Sequence, residues 1–142
     1  EAKENTERGA ETAAEHYLAL LVYAWNTGDT QPFADMSSPT SKFASDYIKD
    51  VNEQYANGWN YGMESNITYV LRVEPIEANG DDVPEGSILV KFRTETDDGT
   101  SCTRTRLQST STTYQSTVTF IMTWKDGGWK EVQGRTVGDD ED

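Results

Sequence analysis

The chain has 142 residues, 35% hydrophobic and 11% aromatic, with 12 Lys+Arg against 25 Asp+Glu for a formal charge of −13. One domain with a real core is the natural outcome, and full disorder is excluded, because a disordered chain of such charge lacks these aromatics. A surface this negative repels phosphate backbones and anionic lipid, which excludes nucleic acid as a partner and leaves basic partners or plain solubility.

Residues 1–8 are polar and are expected to be a frayed tether. Ala13, Ala14, Tyr17, Leu18, Leu21, Ala24 and Trp25 then recur at three- and four-residue steps, which predicts an amphipathic helix. Leu20, Val22 and Tyr23 widen its apolar stripe over most of the circumference, as suits a helix lying across a sheet and under other helices. The longest apolar run, residues 17–25, is nine residues, about half of the roughly 20 needed to span a bilayer. Gly28 suits the end of this helix, and Asp29 or Thr30 can cap a short second one carrying Phe33 and Met36. After the break at Ser37-Ser38-Pro39-Thr40, Phe43, Tyr47, Ile48, Val51 and Tyr55 predict a third helix, stopped at Asn57-Gly58.

From Ser65 onward the hydrophobic period changes from about 3.6 to 2. Ile67, Tyr69, Leu71 and Val73 alternate with Thr68, Val70, Arg72 and Glu74. After a turn at Asn79-Gly80-Asp81-Asp82, Ile88, Val90 and Phe92 alternate with Leu89, Lys91 and Arg93. Asp97-Asp98-Gly99 reads as the next turn, leading to a strand over residues 103–107 in which Arg104 and Arg106 face away from Thr103 and Thr105. Residues 108–113 read as a loop. Ser116, Val118, Phe120, Met122 and Trp124 line one side of a further strand, and Asp126-Gly127-Gly128 signals a tight hairpin into residues 129–137. Residues 138–142 form an acidic tail. Helices first and antiparallel strands afterwards define an α+β fold, one domain over residues 9–137, with the sheet curled around the first helix.

The residues Gly9-Ala10, Tyr17, Tyr23-Ala24-Trp25, Thr27-Gly28-Asp29-Thr30, Phe33 and Ser37-Ser38-Pro39, with Tyr55, Gly58, Trp59 and Gly62, form a specific pattern. It resembles a family of exported lipoprotein domains of unknown function from high-GC Gram-positive bacteria, with a nuclear transport factor 2-like, or cystatin-like, fold. The closing hairpin, Asp126-Gly127-Gly128-Trp129, resembles the last hairpin of that superfamily. The resemblance implies a cone-shaped α+β fold, an extracytoplasmic location, and a lipidated cysteine upstream of Glu1 as the only link to a membrane. A chain opening Glu1-Ala2-Lys3 without an initiator Met fits a mature form from which a leader has been removed. The family resemblance also implies a C-x-x-C pair after the Ser-Pro break. Here those positions are Ser41 and Ala44, so a redox role does not carry over, and packing by Phe43 and Tyr47 must hold the local helix.

Few residues can carry chemistry. Cys102 is the single cysteine, so an internal disulfide and a thiolate metal cluster are excluded. His16, the single histidine, lies at the fringe of the helical stripe without an assignable carboxylate partner, so edge packing is its expected role. Glu131 shares the face of Trp129 if the strand is regular, which would place an acid among Trp124, Trp129 and Tyr69; the expected arrangement is instead a bulge that turns Glu131 out and Val132 in. Asp29 is expected to cap the second helix. Trp25, Tyr47, Tyr55, Trp59, Tyr61 and Tyr69 could wall a ligand site but are expected to be core. Trp59-Asn60-Tyr61, in an expected turn, is a candidate partner surface or pocket rim. Asp81-Asp82, Asp97-Asp98 and residues 139–142 lack the ligand spacing of a calcium loop. No cofactor motif occurs.

Two functions follow. The expected one is a non-catalytic module of the cell envelope that binds a small molecule or a protein through the cone mouth or the Trp59 turn, with a mouth narrow or filled and without convergent acids. The alternative is a small isomerase, dehydratase or cyclase using Glu131, His16 or Asp29 for proton transfer, which requires those groups around a deep cavity. The outer sheet positions Thr117, Thr119, Ile121 and Thr123 suit a monomer or a homodimer.

Overall fold

A computed structural model describes residues 3–79, 83–97, 99–103, 106–109 and 113–138. Three helices come first: α1 (Glu7–Thr27), α2 (Gln31–Asp35) and α3 (Lys42–Asn57). Seven strands follow: β1 (Gly58–Tyr61), β2 (Glu64–Pro75), β3 (Ile88–Asp97), β4 (Thr100–Thr103), β5 (Arg106–Ser109), β6 (Thr113–Lys125) and β7 (Gly128–Gly138). The main sheet has the order β2-β3-β6-β7, all antiparallel, and β1-β4-β5 form a smaller one.

Helix α1 begins inside the expected tether. Thr6 caps it, its hydroxyl accepting from the Gly9 amide at 2.9 Å, and Trp129 ties down the preceding residues by donating to the Glu4 carbonyl at 2.9 Å. Its buried face is the predicted stripe from Ala10 to Ala24. Tyr23 is exposed, so the helix is apolar on one broad side rather than around most of its circumference. Helix α3 is capped by Ser41, which accepts from the Ala44 amide at 3.1 Å. Phe43 and Tyr47 pack ring to ring at 4.8 Å on its inner side, and Phe43 reaches Phe120 of β6 at 5.4 Å.

Several strand expectations are corrected. Residues 58–61 are strand, not turn. The chain does not reverse at the expected turn after Asp97, since β3 and β4 pair with β2 and β1 in the same antiparallel sense. Tyr61 pairs with Thr100 in the smaller sheet and Glu64 with Asp97 in the main one, so pairing resumes in the same register on either side of the junction between the two sheets. Gly62 (φ +77°) and Gly99 (φ +71°) sit opposite one another where both strands kink. A methyl on Gly99 would lie 2.4 Å from the Tyr61 carbonyl oxygen, so glycine is required for both conformation and space. The chain reverses between β4 and β5 instead, inside the expected strand over residues 103–107, and β5 occupies part of the expected loop over residues 108–113. Arg104 and Thr105, on which the expected facing depends, lie outside the described residues, as do Asp81-Asp82, Asp98 and residues 139–142.

Strand β2 also departs from simple alternation. Two register shifts leave Thr68 and Leu71 unpaired, so Ile67, Val70 and Val73 share the inner phase while Tyr69, Arg72 and Glu74 share the outer one. Bulges add twist to an edge strand that must bend around a helix. In β3 and β6 the prediction holds: Ile88, Val90, Phe92, Val118, Phe120 and Met122 are buried against α1, and Ser116 shares their face. Thr123 is not an open outer position, because Ser87 covers it with a 2.7 Å hydroxyl contact.

Gly134 in β7 permits a close approach of α3 to the sheet: a methyl there would stand 2.7 Å from the Phe43 ring. Gly134→Ala is expected to lower stability by about 1–3 kcal/mol through overpacking, measured by denaturant unfolding, and Phe43→Leu in the same chain should restore part of that loss.

Candidate functional site

Two polar assemblies lie within the cone, and they are separate. The deeper one centres on Glu131. The bulge in β7 falls at Val132, after Glu131 rather than before it, since Glu131 pairs with Met122 and Gln133 with Ile121. The carboxyl therefore points inward and is fully buried, contrary to the expected outward turn. The ladder is regular from Gly128 to Glu131, so the acid shares the face of Trp129 as a strand without a bulge there would have it, but Tyr69 is not beside it. Tyr69 is exposed on the outer face, and the partners come from the helices.

The segment after α2 runs alongside β7 as a short parallel bridge between Ser37 and Glu131. The Glu131 amide donates to the Met36 carbonyl at 2.9 Å, and the Glu131 carbonyl accepts from Ser38. With the backbone fixed, the Tyr17 hydroxyl lies 3.1 Å from Glu131 Oε1, and the Ser41 hydroxyl donates to Oε2 at 2.9 Å. Tyr17 also meets Ser37 Oγ at 2.6 Å, and Ser37 Oγ lies 2.7 Å from the Phe33 carbonyl oxygen.

A proton count fixes the state this cluster favours. Four contacts need a hydrogen: Ser41 to Oε2, Oε1 to Tyr17, Tyr17 to Ser37, and Ser37 to the Phe33 carbonyl. Three hydroxyls supply three. A carboxylate leaves one contact as two facing lone pairs, whereas a protonated Glu131 donates to Tyr17 and completes the chain. Burial pushes the Glu131 carboxyl above its ordinary range, outweighing the hydrogen bonds from Ser41 and Tyr17. Burial likewise pushes the Tyr17 phenol far up, with the negative charge of Glu131 adding to the effect.

The second assembly is the cavity at the cone mouth, about 290 Å³ in volume. Helix α1 lines it with Leu18, Leu21, Val22 and Trp25, and α3 adds Tyr47, edge-on to Trp25 at 6.4 Å. Opposite them the sheet presents hydroxyls: Ser65 of β2, Thr94 and Thr96 of β3, Ser116 of β6 and Thr136 of β7. Ser65 and Thr96 share a 2.9 Å hydroxyl contact. Asn60 and Met63 complete the rim, where Asn26 holds the Met63 backbone by two 2.9 Å bonds. Among the described residues no acid, amine or imidazole lines this space.

Phe120, Tyr17 and Phe43 stand between the two assemblies, Phe120 meeting Tyr17 at 5.0 Å and Phe43 at 5.4 Å. Along β6 the order from the mouth is Ser116 and Val118 at the cavity, Phe120 in the aromatic layer, and Met122 opposite Glu131.

The three acid-base candidates do not converge. His16 is exposed on α1. Asp29 is exposed as well, its carboxylate accepting from the Gln31 amide at 3.1 Å, which is the expected capping role at the start of α2. Trp59, Asn60 and Tyr61 alternate along β1: Asn60 faces the cavity, while Trp59 and Tyr61 lie on the other side with ring centres 5.2 Å apart. Tyr55 spans this region, its hydroxyl lying 2.7 Å from the Trp25 carbonyl oxygen and 2.9 Å from that of Asn60. The cavity hydroxyls escaped the sequence reading. Their signal was present, since Ser65, Thr94, Thr96 and Ser116 are polar residues in the core phase of their strands. Among the described residues no group of three His, Cys, Asp or Glu could hold a metal ion.

Because the folded protein holds the Glu131 proton more tightly than the unfolded chain does, this residue's contribution is greatest in acid. It is lost as pH rises through the raised folded value. Glu131→Gln supplies a fourth hydrogen at every pH, so its stability relative to the parent is expected to climb from about pH 4 upward, measured by urea unfolding across pH. Glu131→Ala strands the Tyr17 and Ser41 hydroxyls beside a void and should cost about 2–4 kcal/mol.

Solved structures resemble the chain at low identity. The intermembrane space region of the chloroplast protein ARC6 superposes with a TM-score of 0.58 at 13% identity, over 94% of this chain and 98% of that one. An uncharacterized protein with a cystatin-like fold from Caulobacter vibrioides gives 0.51 at 13%, over 89% and 87%. The beta subunit of benzoate 1,2-dioxygenase from Burkholderia mallei gives 0.53 at 11%, over 91% and 90%. These likenesses establish the expected cystatin-like arrangement of helices on a curved antiparallel sheet. No match is found among curated proteins. A family model does match, over residues 1–134, and the chain accordingly belongs to DUF6318, a family of unknown function.

Proposed function

We propose that the protein is a non-catalytic binding module whose cone mouth holds a small, uncharged ligand with one apolar and one hydroxyl-rich side. The observation that carries this reading is the lining of the cavity: Trp25, Tyr47 and three aliphatic residues on the helical side face five Ser and Thr hydroxyls on the sheet. Hydroxyls and an amide can orient a polar edge by hydrogen bonding, and the indole supplies apolar area. A charged ligand would find no counter-ion there, and its desolvation would go uncompensated. The volume lies at the small end of the roughly 300–1,000 Å³ common for ligand pockets. Proton-transfer chemistry has little support, because Glu131 is walled off by the aromatic layer and both of its carboxyl oxygens are engaged, one by Tyr17 and one by Ser41. The reading includes an extracytoplasmic setting on a lipid tether, as the family resemblance implies.

A library of neutral polyols, phenols and sterol-like alcohols, screened by thermal shift and by the fluorescence of Trp25, tests the reading. A ligand found this way is expected to lose about tenfold in affinity on Thr94→Val or Trp25→Leu and to bind Glu131→Gln unchanged. Binding confined to charged compounds, or turnover of any compound that Glu131→Gln abolishes, would overturn it.

A further inference from the structure

The helices cover one face of the main sheet and leave the other open, and the antiparallel register assigns every residue on that open face. Three cross-strand rows can be read from it. The first is Glu74, Leu89, Ile121, Gln133; the second Arg72, Lys91, Thr119, Arg135; the third Tyr69, Arg93, Thr117, Val137; beyond the third, Asn66, Glu95 and Gln115 place one acid beside Arg93 and away from Lys91 and Arg135. The middle row holds three cations and no acid. Arg93 lies beside it in the third row, donating to Thr117 Oγ1 at 3.1 Å. One small area thus collects four of the 12 Lys and Arg residues of a chain whose net charge is −13. Only Glu74 offsets them within the three rows, and it is engaged by Arg72.

Like charges placed side by side on a sheet repel. Lys91 and Arg93 are next neighbours on one face of β3, and Arg135 stands two strands from Lys91 with only Thr119 between. Strands lie about 4.8 Å apart, so Lys91 and Arg135 are about 10 Å apart at their backbones and their long side chains can converge above Thr119. Among the described residues neither has a carboxylate partner.

We propose that this face docks an acidic segment of a partner protein, with a carboxylate seated between Lys91 and Arg135 over the Thr119 hydroxyl. The rows on either side select the kind of occupant. Leu89 and Ile121 border the cations on one side, Tyr69 and Val137 on the other, so the complementary surface is acidic in its centre and apolar at its flanks, a protein and not a phosphate polymer or a headgroup layer. A second copy presenting the same face would bring two cation rows together, which disfavours a face-to-face homodimer. The remainder of the molecule is strongly negative and keeps extended polyanions away, while a short acidic segment needs only the row itself.

The test uses the full chain and a short synthetic peptide of alternating Glu and Leu, with a Lys-and-Leu peptide, a phosphate polymer and anionic vesicles as comparison arms. Amide NMR shifts from the Glu peptide are expected on β3, β6 and β7 at Lys91, Thr119 and Arg135, weakening as salt is raised. The double change Lys91→Glu with Arg135→Glu is expected to weaken binding at least tenfold, and the neutral pair Lys91→Gln with Arg135→Gln to weaken it less, both with unaltered melting. Three results would overturn the proposal: equal binding of the Lys peptide, phosphate polymer or vesicles bound in preference to the Glu peptide, or a dimer in sedimentation that buries this face and persists in the charge-reversed variant.

Discussion

The structure turns on one buried side chain whose hydrogen-bond requirements reach three other elements. Glu131 belongs to the last strand, yet its carboxyl is held by the first helix through Tyr17 and by the cap of the third through Ser41, while its backbone clasps the segment after the second. A carboxyl group in such a place is costly unless each of its oxygens is matched. The shortage of hydrogens among the surrounding hydroxyls makes the acid itself the donor that closes the chain. Few single residues join so much of a fold, and the aromatic packing of Tyr17, Phe33, Phe43 and Phe120 can settle into one arrangement because this polar anchor sets the depth at which α1 and α3 lie on the sheet.

The aromatic layer divides the interior by chemistry. On its deep side polarity serves cohesion, with Glu131, Tyr17, Ser37 and Ser41 committed to one another; among the described residues no buried side-chain nitrogen or oxygen lacks a hydrogen-bond partner. On its open side, polarity faces empty space. Thr94, Thr96 and Ser116 are buried residues on the inner sheet face, yet they border a cavity where Val or Ile would have extended the core. A sheet that gives up apolar area at four core-phase positions on three strands, Ser65, Thr94, Thr96 and Ser116, loses stability there, and such losses are found where a site needs them.

Much of the fold was legible from periodicity. The change of repeat near Ser65 separated helices from strands, and the alternation in β3 and β6 named their buried faces, because long elements with one solvated side write their geometry into the sequence. What escaped was governed by pairing. The kink at Gly99 reads as a turn, since Asp-Asp-Gly is turn chemistry and only the partner strands reveal that pairing resumes beyond it in the same register. Tyr69 and Leu71 match an inward phase until bulges shift them out. Glu131 was legible as a choice between two faces, and the choice lay with the α2–α3 segment, whose backbone bonds pull β7 into place from far away in the chain. The cavity wall was written plainly, as hydroxyls where grease was due, but its meaning needed the helix on the other side.

The facing glycines at the sheet's bend carry a last implication. Gly62 and Gly99 shape the junction between the two sheets through main-chain conformation, which calls on none of the side chains lining the mouth. Threonines and serines at the entrance could be exchanged for other residues while that junction keeps its shape, so recognition and architecture can vary independently, and a shared scaffold need not mean a shared guest.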